Sequence, residues 1–195
     1  TWEEKEVALE NLAHTTTRPM FILADPQKAL LYASYPAAGV GLMRMEFTIS
    51  NSLQVHPMAL VKFNDLPADN EKKQIEALTR HYADKKRFFV DKLSEAIALV
   101  AAAFYPREVI VRMSDFKTNE YAKLLGGKLF EPHEENPMLG FRGASRYYNE
   151  RYREGFVIEH NADGAVANLA HALPRKAINE DTWRRILRQL KAANP

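Results

Sequence analysis

Val109-Ile110-Val111-Arg112-Met113-Ser114-Asp115-Phe116-Lys117-Thr118-Asn119-Glu120-Tyr121 decides how this chain folds. A run of β-branched residues closes on an arginine, a serine and an aspartate. That pattern suits a buried parallel strand that delivers polar groups to a pocket at its C-terminal end. Two other stretches carry arginines to the same kind of place: Gly39-Val40-Gly41-Leu42-Met43-Arg44-Met45-Glu46-Phe47 and Glu135-Asn136-Pro137-Met138-Leu139-Gly140-Phe141-Arg142-Gly143. Arg44, Arg112 and Arg142 are therefore the candidates for an anion site that takes a phosphate-bearing ligand.

Working outward, Met20 to Ala24 is a short apolar run closed by Asp25-Pro26, a strand followed by a turn. Gln27 to Ser34 suits a helix, and Pro36 and Gly39 end it. Val40 to Phe47 reads as a second strand. This β-α-β alternation predicts a parallel sheet. A short helix follows Pro57, and Asp65 to Asn70 is a polar loop. Glu71 to Phe104 is the longest helical region, with a break near Ala83-Asp84. Phe89, Leu93, Ile97, Val100 and Phe104 repeat there at helical spacing and face a core. Pro106 stops this helix before the strand quoted first.

Beyond that strand, Tyr121 to Leu125 suits a helical turn and Gly126-Gly127 a flexible break. Phe130 to Pro137 is an acidic loop. Ser145 to Glu154 is a polar, aromatic helix, and Phe156 to Glu159 a brief strand. Both ends look helical. Residues 2–13 are weakly amphipathic, and Asn179 caps a last helix with Trp183, Ile186, Leu187 and Leu190 on one face and Arg184, Arg185, Arg188 and Lys191 on the other. The chain divides into a linker over 1–19, a domain over 20–159 and a divergent tail over 160–195.

The 195 residues suffice for one domain with a sizeable core, and 46% hydrophobic against 27% charged residues reads as globular. A net charge of +2 gives no general argument for nucleic acid, so an anionic ligand rests on local sites. Without cysteine there is no disulfide, thiolate metal site or cysteine nucleophile. No apolar run approaches the roughly 18 residues of a membrane span. An intracellular, cytoplasmic protein fits. The chain opens on Thr1 inside a charged segment, as a piece of a longer polypeptide would.

Arginine suits phosphate and carboxylate because its planar fork is always charged and donates parallel hydrogen bonds. The glycines around Arg142 let the backbone come close to a ligand. Glu46 and Asp115 are read as orienting partners of the arginines rather than as a general acid or base. The six histidines show no helical metal spacing; for His56 and His133, surface or packing roles are favoured. There is no phosphate-binding P-loop and no dinucleotide fingerprint. No residue is singled out as catalytic or metal-binding.

Three stretches, GVGLMRMEFTISNSLQVHPMALVKF, FYPREVIVRMSDFKTNEYAKLLGG and EPHEENPMLGFRGASRY, together resemble the phosphoenolpyruvate synthase (pyruvate, water dikinase) family over residues 36–155. The similarity weakens back to Met20 and forward to Glu159. The resemblance implies an α/β fold: the first three βα units of a (β/α)8 TIM barrel that binds phosphoenolpyruvate and pyruvate, followed by a divergent helical tail. In that family a mobile histidine domain carries phosphate from an ATP-grasp domain to the barrel, with magnesium present, in pyruvate metabolism and gluconeogenesis. By motif position, Arg44 and Arg112 match substrate-binding arginines and Arg142 a further arginine near the phosphoryl group. The family's magnesium ligands, proton-donor cysteine, phosphohistidine and ATP-binding parts have no matching segments here. The expectation is thus the phosphoenolpyruvate- and pyruvate-binding portion of such a phosphotransferase, with the absent domains as partners. The alternatives are a non-catalytic phosphate-binding module and a barrel remnant whose tail helix covers an open edge or docks a partner. Homo-oligomerisation is left open; no nucleic-acid or membrane partner is expected.

Overall fold

Three of the apolar runs become strands. The computed structural model describes Trp2, residues 15–136 and residues 140–172, with side chains as far as Ala162. Strands β1 (Phe21–Leu23), β2 (Gly39–Arg44) and β3 (Glu108–Arg112) form one parallel sheet in the order β1-β2-β3. Helix α1 (Ala29–Ala33) connects β1 to β2, and a longer helical excursion connects β2 to β3. The architecture is mixed α/β, with a small parallel sheet and several helices, as β-α-β alternation predicts.

The excursion begins where β2 ends. The strand expected to run on to Phe47 stops at Arg44, and Met45–Thr48 turn into helix α2. Met45, Thr48 and Ile49 are buried while Phe47 is exposed, so the inward residues recur at three and four and not at two. Helix α3 (Pro57–Val61) starts at a proline behind a capping residue, His56. Helices α4 (Asn70–Leu78) and α5 (Lys85–Phe104) are separate, each opened by an aspartate. Asp69 accepts the Lys72 N–H at 2.9 Å and Asp84 the Lys86 N–H at 3.0 Å. Each such cap stabilises its helix by about 1 kcal/mol.

Helix α5 is the spine of the core. Its predicted stripe, Phe89, Leu93, Ile97, Val100 and Phe104, is buried throughout. It packs against α1, α3 and β3, and against α8 (Arg153–Ala172). At about 1.5–3 kcal/mol for each fully buried large side chain, this stripe outweighs any single polar contact in the molecule. Between β3 and α8 lie two short helices, α6 (Thr118–Tyr121) and α7 (Ala144–Tyr147).

Helix α8 corrects the brief strand expected at Phe156–Glu159. Tyr152, Gly155, Ile158, Glu159 and Ala162 are buried, a helical repeat with a carboxylate in the middle. Among the described residues one face of the sheet is left open: Ile22 and Ile110, whose neighbours are half-buried or buried, are 64% and 46% exposed. The helices expected near the two chain ends, and the Pro137 turn, lie outside the described residues.

Candidate functional site

Register does most of the assembly. Arg44 and Arg112 are direct partners across β2 and β3, at the C-terminal edge of the sheet. Strands in one sheet lie about 4.8 Å apart, so both guanidiniums can reach one small anion. Arg44 is exposed, and its guanidinium makes no hydrogen bond or ion pair with any described residue. Arg112 is held instead. Its Nη2 donates to Oε1 of Glu46, and its Nη1 lies 3.7 Å from Oδ2 of Asp115.

Glu46 sits in the first turn of α2, where the helix dipole favours an acid. It reaches Arg112 rather than Arg44. The same Oε1 accepts the backbone N–H of Asp115 at 2.8 Å, which ties α2 to the segment after β3. Glu46 Oε2 and Arg112 Nε are both buried and have no partner. Buried polar groups are rarely left so. The Nε–H of Arg112, a donor without an acceptor, belongs to the residue that stands opposite Arg44 in the sheet.

Arg142 comes in from the loop before α7. Its Nε donates to Asp115 Oδ1 at 3.0 Å and its Nη2 to Oδ2 at 2.9 Å, a two-pronged contact, with a further bond from Nη2 to the Asp115 carbonyl at 3.1 Å. The hydrogen bond from Arg142, with the Arg142 and Arg112 charges, holds the Asp115 carboxyl below the usual aspartate range against the effect of burial. Asp115 therefore joins Arg142 firmly and Arg112 loosely. Four of the five residues singled out in the sequence are joined directly, Arg112 and Arg142 to Glu46 and Asp115, and strand register sets Arg44 beside Arg112.

The glycines around Arg142 have separate reasons. At Gly143, φ is +57° with ψ −136°, a conformation that favours glycine. At Gly140 a Cβ would lie 2.1 Å from the Glu134 carboxylate, which accepts the Phe141 N–H at 2.7 Å. The close approach expected there is filled by a protein carboxylate.

A second cluster escaped the sequence reading. Arg146 on α7 makes a two-pronged ion pair with Glu131, with side chains 1% and 2% exposed. Arg146 Nη2 also donates to the Phe141 carbonyl at 2.8 Å, and its guanidinium lies 4.3 Å above the Tyr121 ring and 4.5 Å from that of Phe141. His56 completes the group. Its Nδ1 accepts the Met58 N–H at 3.1 Å, so the ring proton is on Nε2, which donates to Glu131 at 3.0 Å. Burial pushes the His56 pKa down despite the carboxylate, so the ring is neutral at pH 7. Burial works to raise Glu131, and the hydrogen bonds from Arg146 and His56 outweigh it, leaving the carboxyl below its usual range. This cluster anchors the Phe141–Arg146 loop and so places Arg142. His56 before Pro57 was the one visible sign, as an N-cap. A charged pair fifteen residues apart gives no periodic signal.

Among the described residues no group of three or more histidines, aspartates or glutamates stands together to hold a metal. Glu46 and Asp115 are each engaged by guanidiniums, whose charge opposes a divalent cation. No described helix is long and apolar enough to cross a membrane.

A small parallel sheet flanked by helices, with Arg44 and Arg112 side by side at its C-terminal edge, defines an α/β protein. Residues 5–162 match the family of PEP-utilising enzymes, PEP-binding domain, and the chain belongs to that family. It is 55% identical over 159 residues to the phosphoenolpyruvate synthase of Synechocystis sp., covering 81% of this chain and 19% of that protein. The Helicobacter pylori phosphoenolpyruvate synthase is 50% identical over 157 residues, 80% of this chain and 19% of its own length. The Escherichia coli phosphoenolpyruvate synthase is 43% identical over 164 residues, 84% of this chain and 21% of its own. The chain thus spans about a fifth of the length of the curated relatives it matches.

Proposed function

We propose that this chain is the part of a phosphoenolpyruvate synthase that grips the anionic groups of phosphoenolpyruvate, through Arg44, Arg112 and Arg142. The observation that carries the reading is the register of β2 and β3. It sets Arg44, with an unengaged fork, beside Arg112, with a buried unpartnered Nε, at one sheet edge. A ligand with a phosphate and a carboxylate needs several fixed cations, and two-pronged arginine contacts supply them. Glu46 and Asp115 keep the guanidiniums in place before the ligand arrives.

In the complete protein the phosphoryl group passes between a phosphohistidine and the enolate oxygen of pyruvate; the N–P bond breaks as the O–P bond forms. The contribution of these arginines is to neutralise charge on the moving phosphoryl group. ATP-binding, phosphohistidine and magnesium-binding parts belong to other segments of such a protein, which works in the cytoplasm. The same reading makes the sheet the first three strands of a (β/α)8 barrel. Support for this comes from the all-parallel order and the uncovered face around Ile22 and Ile110.

Isothermal titration of the chain with phosphoenolpyruvate, repeated on Arg112→Ala, tests the proposal. Saturable heat that weakens at least about tenfold in the variant is expected, since a charged hydrogen bond contributes about 1.5–3 kcal/mol. No heat from the folded parent chain would sink it.

A further inference from the structure

Below the arginines lies a buried carboxyl that the anion site does not touch. Glu159 on α8 is 0% exposed. Its Oε2 lies 2.5 Å from Ser114 Oγ, and its Oε1 accepts from Tyr121 Oη at 2.8 Å and from Tyr152 Oη. Tyr121 Oη also lies 2.5 Å from Ser114 Oγ and 2.6 Å from Tyr152 Oη. Ser114 is held a third way, because the Tyr147 hydroxyl donates to its carbonyl. The next residue is Asp115, the carboxylate on which Arg142 and Arg112 converge.

We propose that Glu159 is a positioning residue of the anion site: by gathering Ser114, Tyr121 and Tyr152 it fixes the chain after β3 and so aims Asp115 at Arg142 and Arg112. This inference rests on the anion-binding reading above, and it adds α8 to the elements that build the site. Helix α8 carries no ligand-facing group in that reading, yet through Glu159 it sets the geometry of one.

Proton counting shows what state does this. The three hydroxyls and the carboxyl make five oxygen–oxygen contacts, but the hydroxyls supply only three protons. A proton on Glu159 adds a fourth. From Oε2 it donates to Ser114, which frees the serine proton for Tyr121. Burial pushes the Glu159 pKa up although the hydroxyls and the Arg146 charge oppose it, in keeping with a neutral acid. Arg146, the cation whose charge acts on Glu159, is already committed to Glu131. A glutamine at this position would reproduce the neutral acid, with its amide N–H in place of the carboxyl proton.

The test reads Asp115 itself. Its carboxyl carbon is followed by NMR across the acid pH range in the full chain, in Glu159→Gln, in Glu159→Leu and in Ser114→Ala. Melting temperature and phosphoenolpyruvate affinity are recorded beside it. The expected result is an Asp115 midpoint held low in the parent and in Glu159→Gln. In Glu159→Leu and Ser114→Ala it moves up towards the ordinary value of about 3.9. Ser114→Ala removes one oxygen only, so it decides the matter if Glu159→Leu does not fold. A lowered melting temperature with the Asp115 midpoint unmoved in the folded variants means a merely structural carboxyl and overturns the proposal. If the parent binds no phosphoenolpyruvate, the functional reading falls, while the Asp115 midpoints still decide whether Glu159 positions it.

Discussion

Replacing Glu131 by glutamine should unfold this protein more readily than almost any other isosteric change. The substitution keeps the shape and an oxygen for the His56 Nε2–H, and removes only the charge. Arg146 is then left 1% exposed with no ion-pair partner among the described residues. Breaking a buried pair by removing one partner costs about 3–5 kcal/mol. Folded domains have roughly 5–15 kcal/mol in all, so this is a large fraction of the total. For a chain of this size each kcal/mol moves the melting temperature by about 2–4 °C, so a fall of about 6–20 °C is expected. Urea unfolding of Glu131→Gln, Arg146→Met and the double variant closes a mutant cycle. Because Arg146→Met removes the buried charge that Glu131→Gln leaves unpaired, the double variant should regain at least half of the loss in Glu131→Gln. A single-variant cost under about 1 kcal/mol, below the range for buried pairs, or strict additivity in the double variant, would refute the reasoning.

Two further outcomes follow from the core and from the titrating groups. Phe89→Ala, at a fully buried position on α5, should cost about 3–5 kcal/mol in urea unfolding; a loss under about 1 kcal/mol would mean that α5 is not the spine of the core. Stability should also fall on acidification. The folded pKa of His56 lies below 6.5, so its contribution is present above about pH 6.5 and is lost as pH drops towards that lowered value. Glu131 and Asp115 also titrate below their ordinary values, so their contributions are present at neutral pH and are lost only as pH falls through the lowered carboxylate range. Glu159, with a raised pKa, runs the other way: its stabilisation is full below the ordinary glutamate value and fades as pH rises through the folded one. Unfolding midpoints between pH 4 and 7 measure the balance, and His56→Gln should flatten the upper part of the curve.

The sheet was legible because its strands are apolar runs, and β2 and β3 each end on an arginine that water or a ligand must meet. The α5 stripe was legible because five large apolar residues kept helical spacing for four turns. Two misplacements share a cause. At Met45–Phe47 apolar residues continued past the strand, and only the burial of Met45, Thr48 and Ile49 shows the change of period. At Phe156–Glu159 a carboxylate occupies a core position, so the helical repeat of Tyr152, Gly155, Ile158 and Ala162 was masked. The cluster of Arg112, Arg142, Glu46 and Asp115 could be picked out residue by residue, because arginine, glutamate and aspartate carry their chemistry in their names. The His56–Glu131–Arg146 cluster could not. Charged residues in a loop read as solvated, and only tertiary contact shows that these are dry.

Arg44 offers the cleanest test of the central claim, since it binds no described residue and its loss should cost the fold almost nothing. Titration of Arg44→Ala with phosphoenolpyruvate should show a melting temperature within about 1 °C of the parent, as for an exposed substitution, and an affinity weaker by about 10- to 100-fold. An unchanged affinity in a folded Arg44→Ala protein would contradict the account.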